Sequence, residues 1–233
     1  SIGEYSWDNK DTSTGAKSAY GKNDWTDARL MKLLNQGYES ETTGGSLYYN
    51  SGSGNCYSGQ NNATTACDFT STGIKNDTTR NMISDNTYSL LGWNNNSIYS
   101  NQIYEYERST GSVYTGTPTS WTGKVGLAYV SDYGYAADLS KCTKQLGSYN
   151  DSTCASNNWM KAIITNNSTN ASGWLLTHYY GDSCDTWRTY LAGNAGYSGA
   201  YYAFEVTPVL YLKYRISINS GTGTSSDPYQ IST

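Results

Sequence analysis

Apolar residues are thinly spread along this chain, and where they gather they follow two different periods. Over residues 23–35 the run NDWTDARLMKLLN opens on capping residues and then sets Leu30, Met31, Leu33 and Leu34 at helical spacing, which predicts a first helix. A second helix is expected over 77–91, with Asp77 as its cap and Met82, Ile83, Tyr88, Leu90 and Leu91 as its stripe. The segment 98–108 fits a helical face through Ile98, Gln102, Ile103 and Tyr106, although its aromatic residues also alternate as in a strand; the helix is favoured. After Trp121, the positions Val125, Leu127, Ala128, Tyr129 and Val130 read as a strand, with Asp132 pinning the turn at its end. Residues 157–164, NNWMKAII, read as a short helix.

The last third of the chain changes period. Strands are expected at 173–179, 186–191, 200–205 and 206–214, joined by the glycine-rich turn LAGNAGYSG, with Pro208 restricted to an edge or irregular position because it lacks a ladder donor. A last strand from Ile216 and a closing turn on which Tyr229 docks back complete the pattern. Helices made early and an antiparallel sheet made late describe an α+β architecture, read as a single domain over residues 1–233. Its shared core is expected to hold Trp25, Leu30, Leu34, Trp121, Trp174, Val209 and Leu212.

Composition narrows the partners. Charged residues make up only 15% of the 233, so solubility rests on hydroxyls, amides and a formal net charge of -4, while 24 tyrosines and 7 tryptophans supply apolar area with polar rims. No cluster of Lys and Arg is dense enough to neutralise several phosphates, which argues against nucleic acid. The longest greasy stretch, 206–212, is broken by Pro208, so no membrane span is expected. No leader precedes Ser1, which leaves open an N-terminal signal or prepilin anchor removed in processing.

Five cysteines point to an oxidising, extracytoplasmic compartment. Cys56 and Cys67 bracket one polar loop, and Cys142 and Cys154 bracket another. Local pairing within each loop is the preferred connectivity, each bridge contributing about 3 kcal/mol through the unfolded state. Buried free thiols and a zinc site are the alternatives, the second disfavoured by long spacings without a nearby histidine. Cys184 is left as a free thiol.

The segments NDWTDARLMKLLN, GNCYSGQNNATTACDFTSTG, IYEYERSTGSVYTGTPTSWTGKVGLAYVSDYGYAADLSKC, NNWM, GWLL and VTPVLYLKYRISINSGTGTSSDPYQI together resemble an extracellular domain of gut Firmicutes, carried on surface proteins or behind a prepilin-like helix. The resemblance covers nearly the whole chain. It implies a C-type lectin-like, formylglycine-generating-enzyme-like superfold, in which helices pack on a small twisted antiparallel sheet and long loops carry a variable ligand-binding surface; a fold does not by itself transfer an activity. The chain departs from that pattern at Thr177-His178, where the family has Thr-Pro, and through YYGDSCDTWRTYLAGNAGYSGAYYAFE, where the family is repetitive in aromatic residues, Ser and Asn. Departures concentrated there resemble the variable protein of a diversity-generating retroelement, with ordinary loop divergence as the other reading.

The same segment, about 178–205, has the composition of a recognition surface: Tyr179, Tyr180, Trp187, Tyr190, Tyr197, Tyr201 and Tyr202 interspersed with Gly, Ser, Asn and Asp. The candidate ligand-binding residues are His178, Tyr180, Asp182, Asp185, Arg188, Tyr190, Asn194, Tyr197, Tyr201 and Phe204. A strand buries every second residue, so about half of the aromatic set is expected to face a core. In TWRTYL the phase holding Trp187, Thr189 and Leu191 is the inward one, because burying Arg188 unpaired is costly. Arg188, Tyr190, Tyr197 and Tyr201 are then expected on one exposed patch.

Catalytic signals are weak. There is one histidine, His178, and no G-x-S-x-G, P-loop, dinucleotide or H-E-x-x-H pattern. Carboxylate pairs such as Asp182 with Asp185, or Glu105 with Glu107, could in principle serve glycoside hydrolysis, but sequence proximity does not set the spacing it requires, and Cys184 near His178 is more simply a surface thiol than a reactive one. No EF-hand or lectin-type calcium motif occurs, so binding is expected to need neither metal nor cofactor. The expected function is extracellular binding or adhesion to a protein or glycan at a cell, host or phage surface, with a pilin or fibre module and a hydrolase as alternatives. Non-reducing peptide mapping should recover Cys56 with Cys67 and Cys142 with Cys154; a bridge joining the two loops contradicts this reading.

Overall fold

A computed structural model describes residues 1–10, 21–35, 53–57, 64–68, 74, 77–165, 172–224 and 226–232. Helices and strands are mixed and short, and the strands pair antiparallel two by two. Isolated bridges join several of these pairs into something larger. Strand β1 (Glu4–Ser6) pairs with β9 (Ala203–Glu205), and β7 (Asp185–Thr189) pairs with β8 (Ala195–Gly199). Residues 173–175 run between the two pairs. They bridge to Glu205 on one side, where the Trp174 N–H donates to Glu205 O at 3.1 Å. On the other side Trp174 bridges to Arg188, and the Leu175 N–H donates to Trp187 O at 3.0 Å. The lateral order β1, β9, 173–175, β7, β8 is therefore continuous.

This sheet separates two apolar clusters, and the alternation along residues 174–176 shows how. Trp174 and Leu176 join the first cluster, with Trp7, Trp25, Leu30, Leu34, Ile83, Tyr88 and Val206. Leu175 joins the second, with Ile103, Val130, Tyr133, Leu146, Tyr149, Ala195 and Trp187. Successive side chains of an extended backbone point to opposite faces, so one tripeptide feeds both cores. Trp7 lies with its ring centroid 4.9 Å from Trp25 and 6.0 Å from Trp174. Trp187, fully buried, donates Nε1–H to Trp93 O at 3.0 Å.

The first helix is Arg29–Leu34, shorter than the expected 23–35. Asp24 accepts at Oδ1 from the Thr26 N–H and hydroxyl, which holds residues 24–27 as a turn and leaves Trp25 free to enter the core. Asn35 closes the helix onto β6 (Val125–Leu127), accepting the Val125 N–H at Oδ1 and donating Nδ2–H to Val125 O. The expected helix 77–91 is corrected: a helix covers Asp77–Met82 only, and Asn86–Ser89 forms β4, paired with β5 (Ser120–Gly123). Ser84, Asp85, Asn86 and Thr87 are poor helix formers, and Tyr88 and Leu90, two residues apart, both become buried on the strand's inner side.

Segment 98–108 is helical over Ser100–Glu105 and continues as a π-helical turn at Tyr106–Thr110. The strand expected over 125–130 ends at Leu127, and a helix starts at Val130 (Val130–Tyr135). Asp132 does pin this junction, as an N-terminal cap whose Oδ2 accepts the Tyr129 N–H at 2.9 Å. A helix covers Trp159–Thr165, close to expectation.

Of the strands expected in the last third, 173–179 forms only isolated bridges and 206–214 shrinks to β10 (Pro208–Leu210), paired with β6 alone. That suits the edge position Pro208 requires. Val209 is only half-buried and Leu212 is 41% exposed, so neither belongs to the expected core, and Leu210 packs there instead. Trp121 is half-buried against the same cluster. The terminal strand becomes a hairpin of β11 (Ser217–Ser220) and β12 (Gln230–Ser232), and Tyr229 lies over Gly223 of that hairpin, 53% exposed, instead of docking back.

Cys142 and Cys154 are disulfide-bonded, with Cα atoms 4.7 Å apart. The backbones of β2 (Ser53–Tyr57) and β3 (Thr64–Asp68) pair antiparallel, but the side chains of Cys56 and Cys67, and hence their expected bridge, lie outside the described residues. No helix among the described residues is long and apolar enough to cross a membrane. Trp187→Ala should lower stability by about 3–5 kcal/mol in urea unfolding, as large-to-small changes of buried aromatic residues do, while Leu212→Ala should stay within about 1 kcal/mol. Equal losses for the two variants would contradict this assignment of the core.

Candidate functional site

The β7–β8 ribbon sets the site. Its register places Trp187 opposite Tyr197 and Arg188 opposite Gly196. Trp187 and Thr189 are buried and Arg188 and Tyr190 are half-buried, which is the phase expected from the cost of burying an unpaired guanidinium. Leu191 breaks the inward phase: it lies beyond the end of β7, in the turn, and is 52% exposed.

Arg188 is held on several sides. Its Nε–H donates to Ser198 Oγ and its Nη1–H to Ser172 Oγ, both at 2.7 Å. Its Cζ lies 3.6 Å from the centroid of the Tyr190 ring and 4.3 Å from that of Phe204. Gly196 permits this arrangement, since a Cβ there would meet Tyr190 Cε2 at 2.6 Å. Phe204 rests edge-on against Trp174 at 4.7 Å, so the outer ladder is anchored on the first core. Tyr202 stacks on Phe204 at 5.9 Å, and Tyr201 lies against Tyr202 at 4.1 Å. The order Tyr190, Arg188, Phe204, Tyr202, Tyr201 is a continuous cation–aromatic ladder, in which Tyr202, between Phe204 and Tyr201, is 47% exposed. Burial pulls the Arg188 pKa below its ordinary value, opposed by the Tyr190 and Tyr202 phenols. Among the described residues no carboxylate lies within ion-pair distance of Arg188.

The other expected ligand residues fall elsewhere. Tyr197 points to the opposite face, stacked on Tyr179 at 3.9 Å and edge-on to Trp187 at 6.0 Å, because an antiparallel pair shares one face and its partner is Trp187. It is therefore not on the Arg188 patch. Tyr180 leans on Trp93 at 5.7 Å, and Trp93 stacks on Tyr106 at 4.0 Å, a separate aromatic group. Asn194 is a turn residue whose carbonyl accepts the Tyr190 N–H. Asp182 Oδ1 accepts the N–H groups of Cys184 and Asp185, which closes a tight turn. Cys184 is buried, with its thiol donating to Asp182 Oδ1 at 3.3 Å, so it is not the surface thiol expected. Asp182, Cys184 and Asp185 bring one ligand atom each within 4.8 Å of one another, yet the shared acceptor Oδ1 is already occupied by its own turn.

His178 is also removed from the surface. It is buried, and its Nε2 accepts the Tyr114 N–H at 2.9 Å while its backbone bridges to Gly92. Glu107, fully buried, is separated in role from exposed Glu105. It accepts from the Ser131 N–H at 3.0 Å, the Thr177 hydroxyl at 2.5 Å and Arg108 Nη1–H at 2.9 Å, and burial raises its pKa. Both groups serve the scaffold.

Ser172 and Ser198 are the site residues that sequence reasoning missed. Ser198 carried a usable signal, since it stands two residues from Gly196 and so shares the face of Arg188; Ser172, adjacent in space only through the 173–175 crossing, carried none.

Burial lowers the His178 pKa from 6.5 to about 4. A base depressed on folding binds fewer protons in the folded than in the unfolded chain, so its contribution is whole above pH 6.5 and is lost as pH falls toward 4. Buried Asp8, raised from 3.8 to about 6 by desolvation, works in the opposite sense over an overlapping window, so the comparison has to be made against a His178 variant. Relative to His178→Gln, the wild-type chain should lose about 3 kcal/mol of unfolding free energy between pH 7.5 and pH 4. Parallel stability curves for the two proteins would show that His178 titrates normally. No protein-family model, no curated protein and no solved structure matches this chain.

Proposed function

We propose that the chain is an extracellular binding module, on a C-type lectin-like scaffold, that takes its ligand on the ladder formed by Arg188, Tyr190, Phe204, Tyr202 and Tyr201, without a metal. The observation that carries the reading is that the ladder runs from a half-buried guanidinium with no acidic partner among the described residues, through Phe204, to Tyr202, which is 47% exposed. Rigid aromatic groups lose little conformational entropy on binding, and Tyr and Arg are the usual anchors of interfaces. The ladder lies within 188–204, inside the segment that departs from the family pattern, as a diversified binding surface would. The Cys142–Cys154 bridge supports an oxidising compartment.

A fibre or pilin module is the second reading. It is favoured by the helix Trp159–Thr165, where Trp159, 60% exposed, and Ile163, four residues later, share an exposed side. Hydrolysis has no comparable support, since His178 and Glu107 are both buried in scaffold hydrogen bonds.

A screen against arrayed glycans and cell-surface proteins, with and without chelator, tests the reading. For a ligand found this way, Tyr202→Ala should weaken binding by about 2 kcal/mol or more, as truncation of a central anchor does, with the unfolding midpoint unchanged and no effect of chelator. A ligand bound equally well by Tyr202→Ala, or one that requires calcium, contradicts it.

A further inference from the structure

We infer that the edge of the Arg188 guanidinium is a subsite for the carboxylate of an acidic sugar, a uronic or sialic acid residue whose ring lies against Tyr202. The inference rests on the binding-surface reading above and names the ligand class.

Arginine carries five N–H donors in a planar fork. Ser198 and Ser172 take two of them. Rings lie over the guanidinium at 3.6 and 4.3 Å, so what is left for a ligand is the rim of the fork. A carboxylate can approach such a rim in plane and bond it bidentately. The two serine partners are neutral and the aromatic rings carry no net charge, so no group among the described residues compensates the cation. A half-buried cation of this kind gains more from an incoming anion than a solvated surface arginine does.

Tyr202 supplies the sugar half of the subsite. Its exposed ring lies next to Phe204, whose own ring centroid is 4.3 Å from Arg188 Cζ, and, backed by Phe204 and Tyr201, it offers an apolar face with a hydroxyl at the rim. One fixed cation suits one carboxylate. A polyanion such as nucleic acid would meet a chain of net charge -4 with no basic cluster around the site.

The test uses the whole chain and four probes in titration calorimetry: sialyllactose against lactose, and a glucuronic-acid-containing tetrasaccharide against its carboxyl-reduced counterpart. At least one acidic sugar should bind, its neutral counterpart about tenfold or more weaker, and added salt should weaken only the acidic one. Arg188→Gln should remove the preference for the acidic sugar, and Arg188→Lys should restore only part of it, since lysine keeps the charge and loses the fork. The comparison within each sugar pair leaves the protein unaltered, so it holds even if an Arg188 variant fails to fold. Equal binding of acidic and neutral partners, binding of neither acid, or a tighter complex with 6-sulfated lactose overturns the carboxylate subsite. If another ligand is then still lost on Tyr202→Ala, the binding surface itself stands; if acidic sugars bind but ignore both Arg188 and Tyr202, the surface reading fails with it.

Discussion

Residues 174–176 have to serve two cores at once, and much of the molecule follows from how they do it. Trp174 and Leu176 fill the first cluster and Leu175 the second, which fixes the face of every strand bonded alongside. Trp187 receives Leu175 and must point with it into the second cluster, so Arg188 is carried to the side of Trp174. A charged group at the rim of an aromatic core is expensive to desolvate. Here the cost is offset by two serine hydroxyls and by two cation–π contacts, each contributing about 0.5–2 kcal/mol. The same interactions that make Arg188 tolerable make it rigid, and that rigidity suits it to recognition.

A second constraint locks the helices to this sheet. The helix Val130–Tyr135 begins where three side chains meet its first N–H groups: Asp132 on Tyr129, Thr177 on Val130 and Glu107 on Ser131. Glu107 comes from the π-helical turn and Thr177 from the strand segment that follows Leu176, so three parts of the chain are tied at one buried carboxylate. His178 continues the tie on the other side by accepting from Tyr114, and Gly92 lies so close that a Cβ there would meet the His178 carbonyl at 1.9 Å. A lone histidine in a glycine- and tyrosine-rich segment is thereby explained without any chemistry of its own.

Local signals were legible in the sequence wherever one element decided the outcome. The phase of TWRTYL, the cap at Asp132, the pairing of Cys142 with Cys154 and the helix after Asn158 all follow from residues within a few positions of one another. What escaped depended on distant partners. Tyr88 and Leu90 continue a helical stripe in sequence, yet Tyr88 lies in a strand and Leu90 just beyond its end, because β5 offers a pairing edge and residues 84–87 hold a helix poorly. Tyr197 looked equivalent to Tyr190 until the register set it opposite Trp187. Leu212 reads as core by composition but follows β10 out to the surface. Ser172 joins Arg188 only through a crossing that no spacing announces.

The central claim is that Arg188 is an immobilised cation, framed by Tyr190 and Phe204 and without an acidic partner among the described residues, and side-chain NMR of the guanidinium tests it most directly. The account predicts a single Arg188 Nε–H correlation, shifted upfield by the two rings, slow to exchange with water, and restored toward ordinary exchange by Ser198→Ala. A resonance at the position and exchange rate of a free arginine would contradict it.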